Sequence, residues 1–294
     1  MKVTVAIPCY NGARYVGHTI ESLLAQSYSA DEIVVIDDGS TDESAEIILC
    51  YPVRLVQHKQ NKGLAEARNT AIAAATGDIL AFIDVDAFAD PEWLEILLSG
   101  YVDARVGGVG GQGIESNIYS RADRWRRAHA SQSHGDQHKD VEFLYGLCMS
   151  FRLEALRQVG GFNPLFRTNA EDMDIGLRLN AAGYRLRYLP EAKVYHQRTD
   201  DDVSLKHTIA TWYTEAYRAR YLNEAHPWRL FVGTMRRMIA DPLLDLFNDH
   251  DPGLARLSWR IGWIKLRALW QVLAATVFGA FLATLNGYPT RSEK

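Results

Sequence analysis

Three apolar runs, KVTVAIP (2–8), EIVVID (32–37) and DILAFID (78–84), lack the polar alternation of a half-exposed strand. Runs of this kind belong to strands buried on both faces. Between them lie segments with apolar residues at helical spacing: ARYVGHTIESLLAQ (13–26), DESAEIILC (42–50) with acids in its first turn, and the Ala-rich LAEARNTAIAAAT (64–76) closed by Gly77. VRLVQH (53–58) adds another strand. Strand and helix alternating over ninety residues, with short connections, leave one main solution, an α/β fold with a mostly parallel sheet flanked by helices. In such sheets ligands bind at the carboxyl ends of the strands. Three of those ends carry polar groups: Tyr10 and Asn11, Asp37 and Asp38, and Asp84 and Asp86.

The third end asks the sharpest question. FIDVDAFAD (82–90) closes a buried run with two acids spaced two apart. On a continuing strand Asp84 and Asp86 would share a face and repel, which makes sense if a cation sits between them. Asp90 has a simpler reading, since DPEW (90–93) places Asp at an N-cap and Pro at the first helical position. A second acidic cluster, Glu171, Asp172 and Asp174, opens an amphipathic helix. One acid would satisfy the helix dipole; three in four positions point equally to a catalytic carboxylate. His196 ends the strand AKVY, again at a strand end.

Other features constrain by exclusion. The net charge of −4 offers no global basic field for nucleic acid. Three separated cysteines with no C-x-x-C pair argue against a disulfide framework or zinc site and for a reducing, cytoplasmic setting. The N-terminus, MKVTVAIPCYNG, is too short in apolar residues for a signal-peptide core and reads as a first strand. GGVGGQG (107–113) contains G-x-G-x-x-G, but mid-chain and before no clear helix, so it reads as a glycine strand packed against a ligand or a neighbouring backbone rather than a dinucleotide fingerprint. RADRWRRAHASQSHGDQHKD (121–140) reads as a solvated helix and loop, or as a lid over an anionic or sugar ligand. Its histidines, His129, His134 and His138, are unevenly spaced and lack the partner pattern of a zinc site.

From residue 204 the chain reads helical, and 268–285 has no charge between basic flanks. That window is at the lower edge for a membrane span; a core or dimer-interface helix is equally open, and a helix lying on a membrane surface is the third option. The expected organisation is therefore a catalytic domain over 1–203 and a helical appendix over 204–294 used for membrane or acceptor contact.

The motifs VAIPCYN (5–11), IVVIDDGSTDES (33–44), NKGLAEARN (61–69), DILAFIDVD (78–86), VGGFNP (159–164), AEDMDIGLRLNAAGYRL (170–186) and VYH (194–196) together resemble the family 2 glycosyltransferases of GT-A fold, over about residues 1–200. The resemblance implies a Rossmann-like sheet that binds a nucleotide-sugar, with a UDP-sugar favoured. It implies that the backbone near Pro8, the Tyr10 ring and Asp38 hold the base, and that Arg68 helps the nucleotide or its phosphates. DVD corresponds to the family's D-x-D element, so Asp86 would bind Mg²⁺ or Mn²⁺ and Asp84 would contact the ribose or a metal-bound water. His196 matches a position near the metal, and Asp172 the catalytic base of an inverting transfer. The acceptor would be a saccharide or lipid-linked hydroxyl in envelope polysaccharide or glycolipid assembly, at or near the cytoplasmic face of a membrane. No Q-x-x-R-W element follows the Glu171–Asp172 pair, which favours single addition over polymer synthesis. A sugar-phosphate nucleotidyltransferase should carry a glycine-rich phosphate loop after the first strand, where this chain has PCYNGARY. A degenerate nucleotide-sugar binder would lack the base or metal acids, and both are present.

Overall fold

The computed structural model describes residues 1–223, 227–247 and 252–285. The chain forms two compact units, Met1–Thr199 and Asp200–Lys294. In the first, β1 (Val3–Cys9), α1 (Val16–Leu24), β2 (Glu32–Asp37), α2 (Ser44–Ile48), β3 (Arg54–Gln57), α3 (Leu64–Ala74) and β4 (Ile79–Phe82) alternate as the sequence predicts. They are followed by β5 (Ala87–Ala89), α4 (Trp93–Ser99), β6 (Val106–Glu115), α5 (Arg121–His129), β7 (Lys139–Val141), β8 (Met149–Arg152), α6 (Leu153–Gln158), α7 (Glu171–Ala181) and β9 (Arg185–His196).

The strands form one sheet in the order β3-β2-β1-β4-β8-β6-β9-β5, with β7 also on β9. The β3-β2-β1-β4 half is parallel, as expected. The other half is mixed: β8 is antiparallel to β4 and β6, β5 and β7 are antiparallel to β9, and β6 and β9 run parallel. Passing through one antiparallel strand twice restores direction, so β6 and β9 run the same way as β1. The carboxyl ends of β1, β2, β4, β6 and β9 therefore share one edge of the sheet, together with the amino end of β8.

Alternation along β1 divides the core. Val3, Val5 and Ile7 pack with Val16, Ile20 and Leu23 of α1 and Trp93, Leu94 and Leu97 of α4. Ala6 on the other face joins Val34, Ile36 and Phe82 under Ala67 and Ala71 of α3, Leu156 of α6 and Ile175 and Leu179 of α7. Both faces are covered, which is why the strands read as unbroken apolar runs. The glycine run lies in β6, where a Cβ on Gly111 would sit 1.8 Å from the Ala192 carbonyl oxygen of β9. Gly110 and Gly111 thus allow close backbone approach, while Gly107, Gly108 and Gly113 make room for neighbouring side chains.

The Asp90–Pro91 signal starts its helix late. Trp93 opens α4: the Pro91 carbonyl is taken by the Ser27 N–H (2.8 Å), while the Asp90 carboxylate still accepts from the Glu92 N–H (3.4 Å) as a capping acid does.

The second unit holds three helices, α8 (Asp202–Leu222), α9 (Pro227–Phe247) and α10 (Pro252–Leu285). The uncharged window 268–285 lies in α10. No helix among the described residues is long and apolar enough to cross a membrane.

Candidate active site

DVD is a turn rather than the end of a strand. β4 stops at Phe82, and the Ala87 N–H donates to the Asp84 carbonyl at 3.1 Å, so the period-two argument for a shared face does not apply. Val85 is the pin: it packs against the core beneath α1, and its carbonyl accepts from Thr19 Oγ1 at 2.6 Å. The two half-buried acids take different cations. Asp84 Oδ1 accepts from Arg68 Nη2 at 3.0 Å, and Asp86 Oδ2 lies 3.3 Å from His196 Nε2. They still feel each other. Burial pushes the Asp84 carboxyl above the usual range against the pull of Arg68, and the charge of Asp86 adds to the rise. Burial is the largest influence on Asp86 and opposes its ionisation, but the hydrogen bond and charge of His196, a backbone hydrogen bond and the charge of Arg198 together hold it below that range.

His196 ends β9 opposite Glu115, the last residue of β6. Its Nδ1 lies 3.3 Å from Glu115 Oε1. Burial disfavours the imidazolium, but hydrogen bonds to Asp86 and Glu115 push its pKa up to about 9. Glu115 is in turn paired with Arg126 of α5 (2.7 Å), which also donates to the Arg198 carbonyl (2.8 Å). Sequence reasoning missed Glu115 and Arg126. One signal was present: Arg126 follows Trp125 and stands four residues after Ala122, on the side of α5 that its apolar residues turn inward, and Asp123 is buried with it. The three histidines of the following stretch separate. His129 packs on Trp125, His134 among Phe143, Tyr145 and Tyr188, and His138 pairs with Glu191.

The acidic cluster at α7 divides into three jobs. Ala170 enters the helix in the left-handed region (φ 66°, ψ 9°), a conformation costly for a residue with a Cβ. Glu171 then turns inward onto Arg68 Nη1, with its Oε2 buried and unpartnered. Asp172 is half-buried; it accepts from the Gly146 N–H at 3.0 Å and from its neighbour Met173 N–H at 2.7 Å. Asp174 pairs with Arg178 (2.8 Å), which binds the carbonyls of Val159 and Gly161 and so ties α7 to the VGGF turn. Burial pushes Glu171 up to about 7 and Asp172 above its ordinary value, with Arg68 opposing both.

Two expected nucleotide contacts are placed differently from the sequence reading. Arg68 is fully buried in α3, between the rings of Phe82 and Phe162, and donates to Asp84, Glu171 and the Gly146 carbonyl (3.2 Å). It is a bridge inside the protein, and no face of it is open to a phosphate. Asp38 is also buried: Oδ1 accepts from His58 Nδ1 (2.6 Å) and the Lys62 N–H (2.9 Å), and Oδ2 from the Gly63 N–H (2.8 Å). It fixes the loop that enters α3 and keeps lone-pair capacity for about one further donor, on Oδ2. Pro8 is buried within β1 and Tyr10 stands half exposed just past its end.

The donor set suits a hard divalent cation. Around the turn, five carboxylates (Asp84, Asp86, Glu115, Glu171, Asp172) meet three cationic groups (Arg68, Arg126, His196). Arg198 acts on Asp86 as a further cation and Asp123 on Arg126 as a further acid, so acids outnumber cations here. Burial raises Asp84, Glu171 and Asp172, and the neighbouring carboxylates add to the rise. Among the described residues no three or more acid, His or Cys groups are gathered closely enough to cage an ion alone. A cation at Asp86 and His196 would have to displace the imidazole proton and would take its remaining ligands from a bound phosphate and water.

Residues 4–160 match the sequence profile of glycosyl transferase family 2. The chain belongs to this family. It is 34% identical over 205 residues to the pre-mycofactocin glycosyltransferase of Mycobacterium tuberculosis, covering 66% of this chain and 42% of that protein. The match thus spans less than half the length of this relative. It is 25% identical to the glucosyl-dolichyl phosphate glucuronosyltransferase of Haloferax volcanii, over 100% of this chain and 99% of that one. A mannosyltransferase from Pyrobaculum calidifontis, solved with GDP-Man and Mn²⁺, superposes with a TM-score of 0.60 at 22% identity, over 96% of this chain and 80% of that one. At that identity the likeness shows the GT-A fold.

Proposed function

We propose that the protein transfers one sugar at a time, with inversion, from a nucleoside-diphosphate sugar to an acceptor hydroxyl. One observation carries the reading. A single guanidinium, Arg68, joins Asp84 of the DVD turn to Glu171 beside Asp172, and so sets a carboxylate base next to the strand end that holds Asp86 and His196. Asp86 and His196 would hold Mg²⁺ or Mn²⁺. When bound, the cation neutralises charge on the departing diphosphate. The exposed Tyr10 ring stacks on the base, with Pro8 and the last acceptor site of Asp38 below it, and Asp84 faces the ribose or a metal-bound water. Asp172 takes the proton of the attacking hydroxyl, held in orientation by the Gly146 and Met173 N–H groups.

A UDP-sugar is the favoured donor, and GDP-Man on the structural neighbour makes a guanine donor the first comparison. The acceptor is a saccharide or lipid-linked hydroxyl of envelope polysaccharide or glycolipid assembly. The lipid-linked choice is supported by the full-length relative named for a glucosyl-dolichyl phosphate.

Thermal shift with UDP-, GDP- and dTDP-sugars in Mn²⁺ tests the donor half of this reading. A ligand at a hundred times its Kd should stabilise the fold by about 2.7 kcal/mol. Asp86→Ala should leave the unliganded melting point in place and remove the Mn²⁺-dependent part of the shift. If Asp86→Ala responds to donor and Mn²⁺ as the parent does, the metal assignment is wrong.

A further inference from the structure

The second unit has an apolar core that includes Leu205, Ile209, Leu257, Ile261 and Leu269, yet α9 also exposes much of its apolar surface. On α9 the buried side carries Thr234, hydrogen-bonded to Tyr217 (2.5 Å), and Asp245, bound by Ser258. Asp241 on the same side pairs with Lys265 of α10 at 3.0 Å. Facing outward are Val232, Ile239 (54% exposed), Leu243 and Phe247 (72%). A water-facing helix carries the opposite pattern.

Helix geometry puts Val232, Ile239 and Leu243 on one face with the outward residues of α10. At about 100° per residue, Thr234 and Arg237 of α9 point to Tyr217 and Tyr213 of α8, and Met238 and Asp245 point to Gly262 and Ser258 of α10. Continuing round α9 in the same sense, Val232, Ile239 and Leu243 come next and then Arg229 and Arg236. On α10, Trp259, Trp263 and Trp270 follow directly after the α9-facing Ser258 and Gly262, and beyond them come Arg256, Arg260 and Arg267. The tryptophans are 48, 55 and 71% exposed, and all five of these arginines are exposed. An apolar strip thus runs along the α9–α10 seam, on the side away from α8, with an arginine row on each margin.

We infer that this face docks on an anionic lipid bilayer, with the tryptophans and aliphatic side chains in the interface and the arginines on the headgroups. Three features select that partner. Tryptophan and arginine are the side chains that suit the headgroup region. The acids within α9 and α10, Asp241 and Asp245, are both paired inside, so the rims carry positive charge alone. A second copy of the same face would set arginine rows against arginine rows. No helix among the described residues is suited to cross the bilayer, so the contact is peripheral. This inference stands on the second unit and does not rest on the reaction proposed above.

The test is flotation of the full chain with vesicles of phosphatidylcholine alone or mixed with phosphatidylglycerol, at low and high salt. Binding is expected to the mixed vesicles only, weakened by salt, with a blue shift of tryptophan emission. Arg260→Gln and Arg267→Gln should each weaken it by roughly fivefold, and Trp263→Ala with Trp270→Ala by about tenfold or more. Ile239→Ser with Leu243→Ser is an independent probe from α9, and circular dichroism and urea midpoints establish that each variant is folded. Failure to bind mixed vesicles, equal binding to neutral ones, or folded variants that bind like the parent would each overturn the inference. So would a stable dimer that dissociates with the tryptophan substitutions while vesicle binding is absent.

Discussion

Arg68 joins three segments that are remote in sequence, the DVD turn, the Gly146 loop and the start of α7. Its charge lies wholly inside the protein, so its removal leaves Asp84 and Glu171 uncompensated. Breaking a buried pair of this kind costs about 3–5 kcal/mol. Arg68→Ala should lose stability on that scale in urea denaturation, and Arg68→Lys, which restores charge without the fork, should recover part of it; a loss near zero would show that the bridge contributes nothing. The same environment shapes the proposed base. Burial raises Asp172, and a base works only when deprotonated, so transfer should fall as pH drops through the raised value. The acid limb of kcat/KM should then lie above the ordinary aspartate range of about 4. Since Glu171 lies beside Asp172 and both feel the charge of Arg68, that limb belongs to the pair. Donor binding, followed by thermal shift, should not track it.

At the scale of elements, the β6–β9 seam decides whether the metal-side residues meet. The pairing brings Glu115 opposite His196, and it needs glycine where the two backbones nearly touch. Gly111→Ala should therefore cost more than the ~1–3 kcal/mol of ordinary overpacking, because the obstruction is a backbone carbonyl that no rotamer change can move. Any folded fraction should also show weakened Mn²⁺ response; normal stability and response together would remove the seam from the account. This seam marks the limit of what sequence reveals. β1 to β4, their helices, the DVD element and the acids of α7 were legible, since doubly buried strands and helix starts leave local signals. The partnership of β6 with β9, eighty residues on, leaves none, and neither does the turn that sends Asp84 to Arg68 and Asp86 to His196. Arg68 itself was visible but misplaced: in sequence, a buried bridge between carboxylates looks the same as a phosphate ligand.

For the whole molecule, the account makes the first unit a site assembled from five strand ends around an excess of negative charge, and the second a lipid-facing module. Its central claim is that Asp172, beside a metal at Asp86, drives sugar transfer. The most direct measurement is release of nucleoside diphosphate from the donor chosen by thermal shift, in Mn²⁺, by the parent, Asp172→Asn and Glu171→Gln, with EDTA as the control. The account predicts release that EDTA abolishes, that Asp172→Asn lowers by about 10²-fold or more, in line with general-base losses, at nearly unchanged donor affinity, and that Glu171→Gln lowers less. Equal release by parent and Asp172→Asn, or release indifferent to EDTA, would contradict it.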